Sequence, residues 1–235
     1  PAGIYYRKFE TSIVKKIIMK QKEIFLAGEA DAWFERNHKV LQSKIFDLSD
    51  PIIKLVSNIS KRPEYTGQVL KVLEIGCGEA NRLAFMAEHL GADVYGLEPS
   101  SKAVELALKK GVHAKHGSAD HLPFESGSFD VVMYGFCLYL CDREDLFNIA
   151  QEADRVLKKK SWLIIRDFFS PNPVTRDYHH KKGIYCYKMD YRKLFSWHPS
   201  YTCFSHQLSD HGQQGVTDDA QEWVATSVLR KSVKL

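Results

Sequence analysis

Apolar positions follow two rhythms along this chain, and the change between them near Gly67 divides it. Before that point Ile13, Ile17, Ile18, Ile24 and Phe25 recur at helical spacing, and the pattern continues from 30 to 46. The polar stretch 60–67 interrupts it, so residues 1–66 are expected as an N-terminal helical cap or lid. Over 67–235 short apolar runs alternate with helical periods. Strands are expected at 69–75, 93–97, 113–116, 129–134 and 162–169, and helices at 81–90, 100–110 and 142–157. Ser100 is placed to cap the second of these helices, and Gly91 and Gly111 to close the first two. Alternation of this kind predicts an α/β fold, a mostly parallel sheet with helices on both faces and ligands at the carboxyl ends of the strands. The tail reads as a helix at 190–195 and two strands at 201–208 and 224–229.

Two strand ends carry the most specific chemistry. Val72-Leu73-Glu74-Ile75 runs into Gly76-Cys77-Gly78, a turn in which glycine lets the backbone pass close to a ligand. The next strand ends at Glu98-Pro99, where 98 − 76 = 22 positions separate the acid from the first glycine. A carboxylate at that distance can accept both hydroxyls of a ribose. Dinucleotide enzymes share these two features, but a pyrophosphate prefers a helix N-terminus free of negative charge. Here Glu74 stands before the turn and Glu79 within it, which favours an adenosine that carries a cation over a nicotinamide dinucleotide.

In this acid followed by Gly-x-Gly the chain resembles the class I S-adenosylmethionine (SAM)-dependent methyltransferases, with Ala80 in place of the motif's last glycine. The resemblance implies a Rossmann-like seven-stranded sheet ending in an antiparallel hairpin, with SAM as cofactor. It assigns the adenine end to Ala119 and Asp120, in Gly117-Ser118-Ala119-Asp120, and the methionine end to the segment around Gly135, Phe136 and Tyr139. Glu74, Gly76, Cys77, Gly78, Glu98, Pro99 and Ser100 complete the expected cofactor site. The 29–37 segment resembles the lid helix of a subgroup of small bacterial-type methyltransferases, and that analogy offers Arg36 or Asn37 to the methionine carboxylate, against a plain surface charge beside Trp33 and Phe34. Lys158-Lys159-Lys160-Ser161 stands where the family usually has a glycine turn.

Methyl transfer needs a base only if the acceptor must lose a proton. The long 167–188 segment after the fifth strand overhangs the methyl position in this fold, and offers Asp167, Tyr178, His179, His180 and Tyr187. His180 is the first choice, because an imidazole titrates near neutrality. The family resemblance and these residues point to methylation of an oxygen or nitrogen of a small polar metabolite: a sugar, a sugar nucleotide or a natural-product intermediate. An RNA or protein acceptor, or a non-catalytic SAM-binding role, are the alternatives.

Composition narrows the rest. The 235 residues are 44% hydrophobic with a formal charge of +4, and the basic residues are scattered rather than gathered into a stripe, which argues against nucleic acid. Five cysteines without a Cys-x-x-Cys suggest neither a disulfide framework nor a zinc site, and no metal is expected. No apolar run has the length of a membrane span, and 1–4 lacks the layout of a signal peptide, so a cytoplasmic protein is expected.

Overall fold

The computed structural model describes residues 20–212 and 217–232, so Ile13, Ile17 and Ile18 of the expected cap lie outside the described residues. A short helix α1 (Gln21–Ile24) runs through a wide π-helical turn, Phe25–Glu29, into α2 (Ala30–Ser43). The turn is wide because Gly28 breaks the helix with φ +136°. Next comes α3 (Pro51–Ser60), which begins cleanly: Asp50 accepts the amides of Ile52 and Ile53, and Pro51 occupies the first turn, where no amide is needed.

The core alternates as the sequence predicts: β1 (Lys71–Ile75), α4 (Asn81–Leu90), β2 (Asp93–Glu98), α5 (Ser101–Lys109), β3 (His113–His116), β4 (Phe129–Gly135), α6 (Leu146–Val156) and β5 (Leu157–Phe168). A two-stranded hairpin follows, β6 (Val174–Asp177) with β7 (Tyr185–Lys188). The single turn α7 (Lys193–Ser196) leads to β8 (Tyr201–Asp210) and β9 (Trp223–Lys231). The main sheet has seven strands in the order β3-β2-β1-β4-β5-β9-β8. The first five are parallel, and β9 pairs antiparallel with both β5 and β8. Reversal of the strand order between β1 and β4 opens a crevice at their carboxyl ends, the place where such sheets take ligands.

Alternating strand residues feed two apolar layers. On one face Val72, Val131, Met133 and Ile164 pack with α3, α4 and α5, and on the other Leu73, Val132, Leu163 and Ile165 pack with α6 and α7. The helix α3 lies inside the segment expected as the cap, yet Ile52, Ile53 and Val56 are wholly buried against the sheet. Burial of each such side chain contributes about 1.5–3 kcal/mol. Strand β5 starts earlier than expected because Lys160 takes the left-handed conformation (φ +57°) that the glycine turn would otherwise supply, so the chain bulges without leaving the sheet. The expected helix at 142–157 starts with a tighter turn, Arg143–Asp145, before α6. Among the described residues no helix is long and apolar enough to cross a membrane.

Candidate functional site

A cavity of about 240 Å³ lies over the carboxyl ends of β1, β2 and β4. Its floor is the turn Gly76-Cys77-Gly78, where Gly76 (φ +76°) and Gly78 (φ +55°) both need the left-handed region. A side chain at Gly76 would also stand 2.7 Å from the Cys137 Cβ, so the close approach of two loops excludes one. Ala80 keeps the left-handed conformation at φ +61°, and its methyl is buried in the core. The motif's missing glycine is thus replaced in shape, at a cost of roughly 1–2 kcal/mol in strain.

Glu98 closes β2. Its Oε2 accepts the Gly78 amide at 2.8 Å and its Oε1 the Ser100 amide at 3.0 Å, while its carboxyl also lines the cavity. Burial outweighs these two bonds and pushes Glu98 up to about 7. Glu74 projects from β1 to an ion pair with Arg82 of α4, which also reaches Asp50 at 3.4 Å. Burial again dominates and raises Glu74 to about 7, with its Oε2 left without a partner among the described residues. The pair fits only because the next strand carries glycine: a Cβ on Gly135 would stand 2.8 Å from Arg82 Nη1 and 2.9 Å from Glu74 Oε1.

The third side is Ala119-Asp120, after β3. Asp120 accepts from Ser118 Oγ at 2.6 Å and pairs with Lys22, which also reaches Asp145 at 2.9 Å. The roof comes from the N-terminal segment, where Phe25, Leu26, Trp33 and Phe46 face the cavity. Several polar contacts hold that roof down. Asp142 accepts the backbone amides of Gln21 (3.1 Å) and Lys22 (3.0 Å), and Asp31 accepts from Ser100 Oγ (2.6 Å) and Ser101 Oγ (2.9 Å) at the start of α5.

Residues 73–165, which span β1 to β5 and so this whole strand-end site, match a family model described as a methyltransferase domain. That stretch of the chain is a methyltransferase domain. It is 32% identical over 114 residues to a demethylmenaquinone methyltransferase of Staphylococcus haemolyticus, an overlap of 45% of this chain and 47% of that one. A sarcosine/dimethylglycine N-methyltransferase of Aphanothece halophytica is 27% identical over 177 residues, 68% of this chain and 61% of its own. The chain thus spans between about half and under two thirds of these curated relatives. The 1,6-didemethyltoxoflavin-N1-methyltransferase of Burkholderia thailandensis, solved with S-adenosylhomocysteine (SAH), shares the fold at TM-score 0.63 and 16% identity, over 90% of this chain and 89% of that one.

Within the methyltransferase domain the structure gathers Glu74, Gly76, Cys77 and Gly78 with Glu98, Pro99, Ala119 and Asp120 around one cavity, and Gly135 and Phe136 join them from β4. Other expected site residues fall elsewhere. Ser100 is fully buried as the cap of α5, where its Oγ accepts the Ala103 amide. Arg36 does not reach the cavity: it donates to Glu29 at 2.5 Å and to the Tyr178 hydroxyl at 2.8 Å. Asn37 is turned back on the Trp33 carbonyl (2.8 Å). Tyr139 packs on Phe168, with ring centroids 5.1 Å apart, outside the cavity lining.

The three residues expected for catalysis also lie outside the cavity lining. Asp167 is buried, and its oxygens accept the amides of Cys137 (3.0 Å), Leu138 (2.7 Å) and Phe168 (2.8 Å), which fixes the turn after β4. Burial raises it to about 7 nonetheless. Tyr178 is buried against the lid, bonded to Arg36 and Glu29, and burial pushes its hydroxyl up to about 12. His180 is exposed beside Tyr178, 5.4 Å between ring centroids, and does not line the cavity. Sequence reasoning missed Lys22, Lys44 and Arg82, all of which do.

Proposed function

We propose that this chain transfers the methyl group of SAM to an oxygen or nitrogen of a small polar metabolite, of the sugar, sugar-nucleotide or natural-product class. The arrangement at Glu98 carries the reading. Each carboxylate oxygen holds one backbone amide and keeps acceptor capacity toward the cavity, which suits a vicinal diol. The same bond spends the Gly78 amide that a pyrophosphate would need. Glu74, Glu79 and Glu98 line the cavity around the turn, where a pyrophosphate would have to sit, and disfavour that anion.

When bound, the cofactor supplies a methyl group on a sulfonium, already activated for displacement. Glu98 would accept the ribose hydroxyls and Asp120 the adenine amino group. Lys22 is paired with Asp120 and Asp145, so Lys44, the other lysine of the N-terminal segment in the lining, takes the carboxylate role first assigned to Arg36 and Asn37. Gly135 and Phe136 wall the methyl end, and Phe25, Leu26 and Trp33 exclude water from above. With His180 and Tyr178 outside the lining, the acceleration rests on alignment, for which effective molarities supply at most about 7–11 kcal/mol. Relatives named for demethylmenaquinone and for sarcosine or dimethylglycine favour a small-molecule acceptor. Calorimetry with SAM, SAH and NAD tests the reading: binding of the first two and not the third is expected, and binding of NAD alone would falsify it.

A further inference from the structure

Next to Phe136, which lines the cavity, lies a cluster of side chains that are not part of the lining. The Phe136 ring centroid lies 5.3 Å from that of Phe168 and 5.6 Å from that of His211, and Phe168 and His211 are 5.0 Å apart. Two cations lie over these rings: the Arg166 guanidinium 5.7 Å from Phe136 and the Lys188 ammonium 4.7 Å from Phe168.

Neither cation forms an ion pair among the described residues. Arg166 donates to the Thr226 hydroxyl at 2.8 Å, and Lys188 to the Gln221 carbonyl. Asp50, the acid nearest in effect to Arg166, is engaged with Arg82. Both cations are half-buried, and burial holds both below their ordinary values. A cation withdrawn from water without a carboxylate is costly, and a ring face returns only part of that cost. Glu222 and Asp219 act on Lys188 through space without pairing with it, so two such cations beside a cluster of rings suit an added anion.

We propose that Phe136, Phe168, Arg166 and Lys188 form the acceptor subsite, and that the acceptor is a planar ring carrying a carboxylate or phosphate. This rests on the methyltransferase reading. The rings take the flat apolar body next to the methyl position, and the two cations neutralise the anion. Aryl carboxylates and nucleotides share this chemistry, so both serve as probes.

The test is calorimetric titration of the SAH-saturated full chain with para-hydroxybenzoate and with uridine monophosphate, each against its neutral counterpart, para-hydroxybenzamide and uridine. One anion is expected to bind at least about tenfold more tightly than its neutral counterpart, and Arg166→Met and Lys188→Met are each expected to weaken it by about tenfold or more. SAH affinity should stay unchanged in both variants, and Lys188→Met carries the test if Arg166→Met does not fold. The subsite is overturned if SAH binds but neither anion does, if the neutral compounds bind equally well, or if folded variants hold the anion as tightly as the parent. Failure of SAH itself to bind would instead overturn the reading of the cavity, and the acceptor subsite with it.

Discussion

At the end of β2 two effects act on Glu98 in opposite directions: the amides of Gly78 and Ser100 favour its charged form, and burial, which prevails, favours the neutral one. A carboxyl raised to about 7 binds more protons folded than unfolded between its ordinary value and 7, so it favours the folded chain at low pH and that contribution fades as pH rises through 7. Ribose hydroxyls donate to the ionised form, so SAH affinity is expected to increase from pH 6 to 8, roughly in step with ionisation near 7. Glu98→Gln should flatten that dependence, and Glu98→Ala should cost about 1.5–3 kcal/mol of binding at pH 8. A pH-independent dissociation constant in the parent would detach Glu98 from the ribose. This residue was legible because its chemistry is local, an acid one strand-helix-strand unit after a glycine turn. Arg36 was not. Its partner Tyr178 lies 142 positions away, and nothing in the 29–37 segment marks that pairing.

Among the elements, α3 changes where the chain can be cut. Its apolar positions Ile52, Ile53, Val56 and Ile59 have the helical period of a one-sided helix, but the polar break at 60–67 follows it and made it read as cap. Packing decides otherwise, because that stripe completes the face shared with α4 and α5. A chain lacking 1–37 is therefore expected to keep a cooperative thermal transition and lose SAM affinity, since Phe25, Leu26 and Trp33 go with the deletion. A chain lacking 1–66 should not fold, and Ile53→Ala alone should cost about 2–5 kcal/mol in denaturant melts. Cooperative unfolding of the shorter chain would place α3 outside the core. The β-α alternation was readable throughout because strand and helix periods differ. The β6–β7 hairpin was hidden, since strands of four residues with no fully buried side chain leave no alternation to read.

Across the whole molecule the roof over the cofactor and the segment after β5 are joined. Tyr178 bonds Arg36 and Glu29, and Gln21 accepts the Tyr185 amide at 2.6 Å and donates to the Leu140 carbonyl at 2.9 Å. Removing one of these ties should loosen both parts together. Tyr178→Phe removes both hydroxyl bonds, and is expected to speed SAH dissociation several-fold in stopped-flow fluorescence while single-turnover transfer stays within about twofold. An unchanged dissociation rate would mean that lid and hairpin move independently. The contacts at the adenine end add a consequence for turnover. Lys20 and Lys22 fasten the roof to Asp120 and Asp145 through charge pairs whose lysines remain partly open to water, at 38% and 28% exposure. Mobile ions compete for such pairs over a screening length of about 8–10 Å at moderate ionic strength. If departure of SAH limits the cycle, added salt would make this enzyme hold its cofactor less tightly and yet complete more cycles per second, until loss of occupancy reverses the trend.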